Sequence, residues 1–161
     1  MKIALAIREV RDAETALVAE LGRVGERHRA DHEVFHLSHT LTGLHRTNLG
    51  ALAPFGGRYG VDVEPAEEDG SGGPVGRARE KLSELAGRRP EAGLLLLRDL
   101  RRLHLLYAEA SVDWVLLGQG AQAVRDGELL SVVGECHART LRGMKWTLTR
   151  LKTAAPQVLA S

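Results

Sequence analysis

The sequence has one cysteine, few aromatic residues and no long apolar run. Because Cys136 is the only cysteine among 161 residues, no disulfide can form within the chain, which is typical of a reducing compartment. Apolar runs such as Leu94–Leu97 are far shorter than the ~18 residues that a membrane span needs. The first residues have too short an apolar stretch for a secretory signal. We therefore expect a cytoplasmic protein with no membrane contact.

The charge and composition narrow the function classes and the fold class. The chain has 22 basic and 21 acidic residues and a net charge of +1, which argues against a surface for nucleic acid. Only 4% of the residues are aromatic, so Leu, Val and Ala must form the core. Strong helix formers dominate, and alternating strand patterns of useful length are absent. The length suits one domain over residues 1–161, and the predicted fold class is all-α.

Apolar periodicity predicts three long helices and one short helix. The long helices are predicted over 12–49, 91–118 and 128–152, and the short helix over 75–86. The segment 54–74 is rich in glycine and acidic residues and is predicted to be a long loop after the first helix. Helices of this number and length, packed at small angles, form a four-helix bundle.

Histidines are concentrated in the first predicted helix. Five of the seven fall between His28 and His45. At ~100° per residue on one continuous helix, four of them share a stripe on the side of Leu17 and Leu21, whereas His45 points toward the polar side. The stripe consists of His28, His32, His36 and His39. The sequence therefore predicts imidazole groups on the inward face of the bundle.

The third and last helices add His104 and His137 to the predicted interior. Histidines at i and i+4 can chelate one metal ion, and bundle cores commonly hold such sites. The candidate ligands are His28, His32, His36, His39, His104 and His137, with Glu14, Tyr107 and Cys136 as their neighbours. The expected cofactor is a transition metal such as Fe, Zn, Mn or Cu. The alternative is that these histidines pair with acids, tyrosines or carbonyl groups and hold no native metal.

One short motif and the layout of the helices suggest a family. Glu33-Val34-Phe35-His36 is a Glu-x-x-His run, and a long connection follows the first predicted helix. In these features the chain resembles the ferritin-like superfamily of four-helix bundles. The resemblance implies sites between facing helices. Carboxylate-bridged di-iron members carry two such runs, whereas this sequence has one, so we expect a histidine-rich site or a fold that has lost its site.

Two further features bear on partners and on catalysis. A nucleophilic role for Cys136 is disfavoured because adjacent residues on a helix point ~100° apart, so His137 cannot easily activate the thiol. The run Trp114–Leu117 makes the third helix more apolar than a lone bundle requires, which favours a homodimer. The basic last helix offers a second surface for a protein partner. A non-enzymatic interaction module is therefore the alternative to a metal site, and no catalytic residue is assigned.

Overall fold

The computed structural model describes residues 2–64 and 91–161, and the helices in these ranges form one bundle. The four helices are α1 (Ile3–Arg27), α2 (His32–Tyr59), α3 (Ala92–Ala123) and α4 (Gly127–Leu159). The described residues contain no strand, which confirms the all-α prediction for them. Within these ranges, no helix combines the length and the apolar character needed to cross a membrane.

Contacts between helix ends give the direction of each helix. Asp99, near the start of α3, bonds to His28, just beyond the end of α1. Tyr59, at the end of α2, bonds to Asp126, just before the start of α4. Each helix therefore runs antiparallel to the two helices that it contacts: α1 and α4 each pack against both α2 and α3. Consequently α2 and α3 run in the same direction, and the chain leaves α2 at one end of the bundle and enters α3 at the other.

The prediction of one continuous helix over 12–49 is wrong. The chain is already helical from Ile3, stops after Arg27 and resumes at His32. Asp31 has an extended backbone, and its side chain accepts a hydrogen bond from the Val34 amide at 3.1 Å. This N-cap satisfies an amide that has no partner within the helix. The chain therefore reverses at 28–31, and α2 packs antiparallel to α1.

Three other predicted boundaries also change. The predicted loop from Pro54 is still helical as far as Tyr59, where Gly60 adopts the left-handed conformation (φ 71°) that often follows a helix. α4 continues past its predicted end at 152 to Leu159 with Pro156 inside it, and α3 continues past its predicted end at 118 to Ala123. A proline inside a helix removes one hydrogen bond, and its ring crowds the carbonyl group four residues before it. Burial of Leu52 and Phe55 on either side of Pro54 favours the helix against this cost. The predicted short helix over 75–86 lies outside the described residues.

The core consists of two apolar clusters stacked along the bundle. One is built around Ile7, Val10, Leu117 and their neighbours. The other contains Leu17 and its neighbours. On α1, Glu14 lies between Val10 of the first cluster and Leu17 of the second, and it is fully buried. The sequence thus places a carboxylate in the middle of an apolar core.

Candidate functional site

The most unusual site in the described residues is a buried polar layer around Glu14. On α1, apolar residues recur at helical spacing before and after Glu14, for example Ile7, Val10, Leu17 and Leu21. A side chain at this position must point inward with them. Its relative exposure is 0%. A charge so far from water is tolerated only when other groups replace the lost solvation.

All three other helices supply polar groups to Glu14. From α2, His45 Nδ1 lies 2.6 Å and Asn48 Nδ2 3.2 Å from Glu14 Oε2. From α3, Trp114 Nε1 donates to Glu14 Oε1 at 2.7 Å. From α4, Thr140 Oγ1 lies 3.1 Å from the same oxygen. Hydrogen bonds to a carboxylate are stronger than those between neutral groups, so Glu14 ties the four helices together.

His45 links this carboxylate to a tyrosine. Its Nε2 lies 2.9 Å from Tyr107 Oη. Burial and the nearby charge of Glu14 raise the pKa of Tyr107 far above its ordinary value, so the phenol keeps its proton. The Nδ1–H tautomer of His45 satisfies both contacts, because Nδ1 donates to Glu14 and Nε2 accepts from Tyr107.

A glycine on α4 makes room for the tyrosine ring. A Cβ atom built at Gly143 would lie 2.2 Å from Tyr107 Cζ and 2.3 Å from its Oη. No rotation of a rigid ring that is enclosed on all sides can relieve a contact of that length. Gly143 therefore lets α4 approach α3 closely enough for Tyr107 to reach His45.

Cys136 is beside this layer but is not a reactive thiol. Its carbonyl oxygen accepts from Asn48 Nδ2 at 3.3 Å, and Arg139 Nη1 lies 3.7 Å from its Sγ. Burial raises the pKa of the Cys136 thiol to about 11, although the charge of Arg139 opposes the increase. Since the thiolate is the nucleophile, the geometry gives no support to covalent catalysis at Cys136.

Three of the predicted ligands lie on the outer surface of α2. His32, His36 and His39 are all exposed. One continuous helix through 28–31 would direct them inward, but the reversal of the chain there changes which face of α2 meets the core. Val34, Leu41 and Leu52 point inward instead, and the predicted inward stripe does not exist on α2.

The other three predicted ligands lie apart from one another, each with its own partner. His28 Nε2 lies 2.8 Å from Asp99 Oδ2, His104 Nδ1 lies 3.0 Å from Thr147 Oγ1, and Ser111 Oγ lies 2.8 Å from His137 Nε2. Within 2–64 and 91–161, no group of three or more His, Cys, Asp or Glu side chains is arranged to hold a metal ion. The six histidines therefore do not form one core site.

His45, which sequence reasoning left out of the site, is the histidine at the centre of the bundle. It is fully buried between Glu14 and Tyr107. The sequence did contain a signal for this position. On a helix that starts after Asp31, His45 lies within ~20° of Val34 and Leu52, and His32, His36 and His39 lie on the opposite side.

A second buried carboxylate, Asp99, joins α3 to the end of α1. Arg23 Nη2 and Arg27 Nη1 each lie 3.2 Å from an Asp99 oxygen, in addition to the contact with His28. Burial by itself raises the pKa of Asp99, but the hydrogen bond from His28 and the charges of Arg23 and Arg27 outweigh it. The resulting pKa is about 2. This cluster fixes the end of the bundle where the chain turns from α1 into α2.

The Glu14 layer can hold the helices in register, but it gives a substrate no access. Its principal members, Glu14, His45, Tyr107 and Trp114, are 0% exposed. A shallow depression at the surface, between α1 and α3, is lined by Leu5, Glu9, Asp113 and Leu116 among others and does not reach the layer. Comparison with family models, curated proteins and solved structures found no match to this chain.

Proposed function

We propose that this protein is a non-enzymatic helical interaction module that pairs with a second copy of itself through the outer face of α3. The observation that carries the proposal is the distribution of exposed apolar side chains. Eleven large apolar residues are exposed in the described ranges, and eight of them lie on α3 and α4. They are Leu94, Leu105, Val112, Val115 and Leu116 on α3, and Leu141, Leu148 and Leu159 on α4. Isolated exposed leucines are common, but aligned ones on one face indicate an interface.

The outward stripe of α3 is complementary to itself. At ~100° per residue, Leu94, Arg101, Leu105, Glu109 and Leu116 lie within an arc of ~80°. Leu94 and Leu116 are equally distant in sequence from Leu105, and so are Arg101 and Glu109. In an antiparallel pair of α3 helices with the two-fold axis at Leu105, leucine meets leucine and Arg101 meets Glu109, while Arg98, on the same stripe, meets Val112. A two-fold dimer requires this kind of self-complementary surface.

The basic face of α4 supports the choice of α3 as the interface. Arg139 and Arg150 contact Asn48 and Asp31 of the same chain. Trp146 Nε1 donates to Glu33 at 3.2 Å. These three side chains are already used within the bundle, whereas Leu94, Leu105 and Leu116 of the α3 stripe are 47%, 51% and 58% exposed.

The direction of the helices supports a ferritin-like arrangement as part of this proposal. The chain enters α3 at the end of the bundle opposite to where it leaves α2, which is the layout of a bundle with one long crossover. We propose no iron chemistry for it. Glu33 is exposed and bonded to Trp146, and His36 is exposed beside it on α2. The Glu-x-x-His run therefore faces away from the core.

Sedimentation equilibrium of three charge variants tests the dimer and its register. We expect Leu105→Glu to abolish dimerisation, because it places two carboxylates on the axis. Arg101→Glu should weaken the dimer by about tenfold or more, and adding Glu109→Arg should restore most of the lost affinity. Phe35→Glu, at an exposed aromatic residue on α2, is the control and should leave the dimer intact, because α2 lies diagonally across the bundle from α3.

The outcomes separate the interface from its register. A wild-type chain that is monomeric at every accessible concentration contradicts self-association. A dimer that is insensitive to Leu105→Glu contradicts the α3 interface. A dimer that Leu105→Glu breaks but that the double charge reversal does not restore contradicts only the antiparallel register.

A further inference from the structure

We propose that His32 and His36 form a surface chelate for a divalent transition-metal ion, with water completing the coordination shell. The site lies on the first two turns of α2 and is distinct from the Glu14 layer. It is also independent of the α3 interface, because α2 packs against α1 and α4, diagonally across the bundle from α3. It takes two ligands from the protein, which is consistent with the lack of any larger cluster of ligands in the described residues.

The two imidazole rings are adjacent, and the ring of His36 also makes an edge contact with that of Phe35, with centroids 5.3 Å apart. The centroids of the two imidazoles are 6.0 Å apart with an interplanar angle of 55°. Metal–nitrogen bonds of ~2.0–2.1 Å place the centroids of two cis imidazoles roughly 5 Å apart. Because both side chains are exposed, small rotations of their side-chain torsions can close the remaining distance. Neither ring has a hydrogen-bond partner in the described part of the chain, so metal binding would break no existing bond.

The charges around the His32 and His36 pair favour a cation more than those at the first turn of most helices do. The first turn of a helix repels positive charge through its dipole. Here the N-cap Asp31 and the first-turn residue Glu33 place carboxylates on either side of His32. Arg150 lies near both acids and neutralises part of their charge, so the net field is modest. Imidazole pairs favour Cu²⁺, Ni²⁺ and Zn²⁺ over the harder Mg²⁺ and Ca²⁺.

His39 serves as a matched control for the pair. It is exposed on the same side of α2, three residues after His36, but among these three histidines only the rings of His32 and His36 are in contact in the described residues. The chelate depends on two rings that already lie side by side, since binding of the first ring makes binding of the second intramolecular. Loss of either member of the pair should therefore weaken binding far more than loss of His39.

Isothermal titration of the full, untagged chain with Ni²⁺, repeated with Zn²⁺, tests the site. We expect one ion per chain, with binding weakened about tenfold or more by His32→Ala or by His36→Ala. His39→Ala should stay within about twofold of wild type, a difference that would not indicate a lost ligand. Circular dichroism checks that each variant keeps its helix content, and at a surface position we expect no change.

The same titrations contain the results that would overturn the proposal. Wild-type protein that binds neither ion excludes the site. Equal weakening by His39→Ala and His36→Ala, with no effect of His32→Ala, would place the ion on a different pair. Unchanged binding in the His32→Ala, His36→Ala double variant would place it elsewhere on the chain.

Discussion

Replacement of Glu14 by glutamine exchanges one carboxylate oxygen for an amide NH2 group. In this layer the polar neighbours of Glu14 all donate hydrogen bonds to its carboxylate. His45 Nδ1 and Asn48 Nδ2 both lie at Glu14 Oε2, at 2.6 and 3.2 Å. If the amide nitrogen of glutamine takes the place of Oε2, it faces these two donors. If the amide oxygen takes that place, the nitrogen faces the indole N–H of Trp114 instead, which lies 2.7 Å from Oε1 in the wild type. No orientation of the glutamine satisfies all the partners. The variant therefore leaves buried donors without acceptors in either rotamer.

The size of the effect follows from the number of bonds affected. A hydrogen bond to a charged group contributes ~1.5–3 kcal/mol, and an unsatisfied buried donor costs ~1–3 kcal/mol. One strong bond lost and one donor left without a partner give a loss of roughly 3–5 kcal/mol in the free energy of unfolding. Relaxation of Asn48, whose oxygen already accepts from Arg139 at 3.2 Å, would disturb a second contact.

Urea unfolding followed by circular dichroism measures this loss directly. The midpoint of the transition and its slope give the free energy of unfolding in water. Glu26→Gln is the matched control on the same helix, because Glu26 is exposed and its pairing with Arg29 at 3.1 Å is a surface ion pair. We expect that control to change stability by less than ~1 kcal/mol. A Glu14→Gln protein within ~1 kcal/mol of wild type would refute the argument that this carboxylate ties the helices together.

Three other predictions concern the surroundings of the layer and the end of the bundle. Gly143→Ala should destabilise the fold by ~1–3 kcal/mol, because the new Cβ overlaps Tyr107. Gly134→Ala, on the same helix with open space around it, should instead stabilise it by up to ~1 kcal/mol; equal effects in thermal melts would contradict the packing described. The pKa of Asp99 is lowered from 3.8 to about 2, so its contribution is complete above pH 4 and is lost as the pH falls toward 2. The stability advantage of wild type over Asp99→Asn should therefore shrink by roughly 2 kcal/mol over that interval in urea titrations, and a constant advantage would count against the Asp99 cluster. Cys136, with its buried thiol of pKa about 11, should resist a thiol reagent in the folded protein at pH 8 and react at once in urea; prompt labelling of the native chain would show that the thiol is accessible.

The sequence by itself determined the class of the fold and most of the residues that build it. Leu17, Leu21 and Val24 recur at helical spacing, and they are buried as this periodicity requires. Periodicity succeeds here because burial of an apolar stripe is a property of one helix and its solvent. The same reasoning on α1 alone marks Glu14 as an inward carboxylate, since Val10, Leu17 and Val18, three or four residues away from it, are apolar.

The position of the histidines depended on one local event that periodicity does not detect. Asp31 caps α2 and the chain reverses before it, so the angular frame of residues 1–27 does not extend to His32 or His36. An error in that frame moves every later residue around the helix by the same angle. This is why His32, His36 and His39 moved to the surface and His45 moved into the core together.

Only the tertiary structure decided which polar groups meet. Glu14 finds His45, Trp114 and Thr140 from three different helices, at sequence separations of 31, 100 and 126 residues. Spacing along a chain carries no information about contacts of that range, because they depend on helix direction and packing depth. The close approach at Gly143 is of the same kind. The sequence shows only a glycine within a helix, and the tyrosine ring that requires a glycine there lies on another helix.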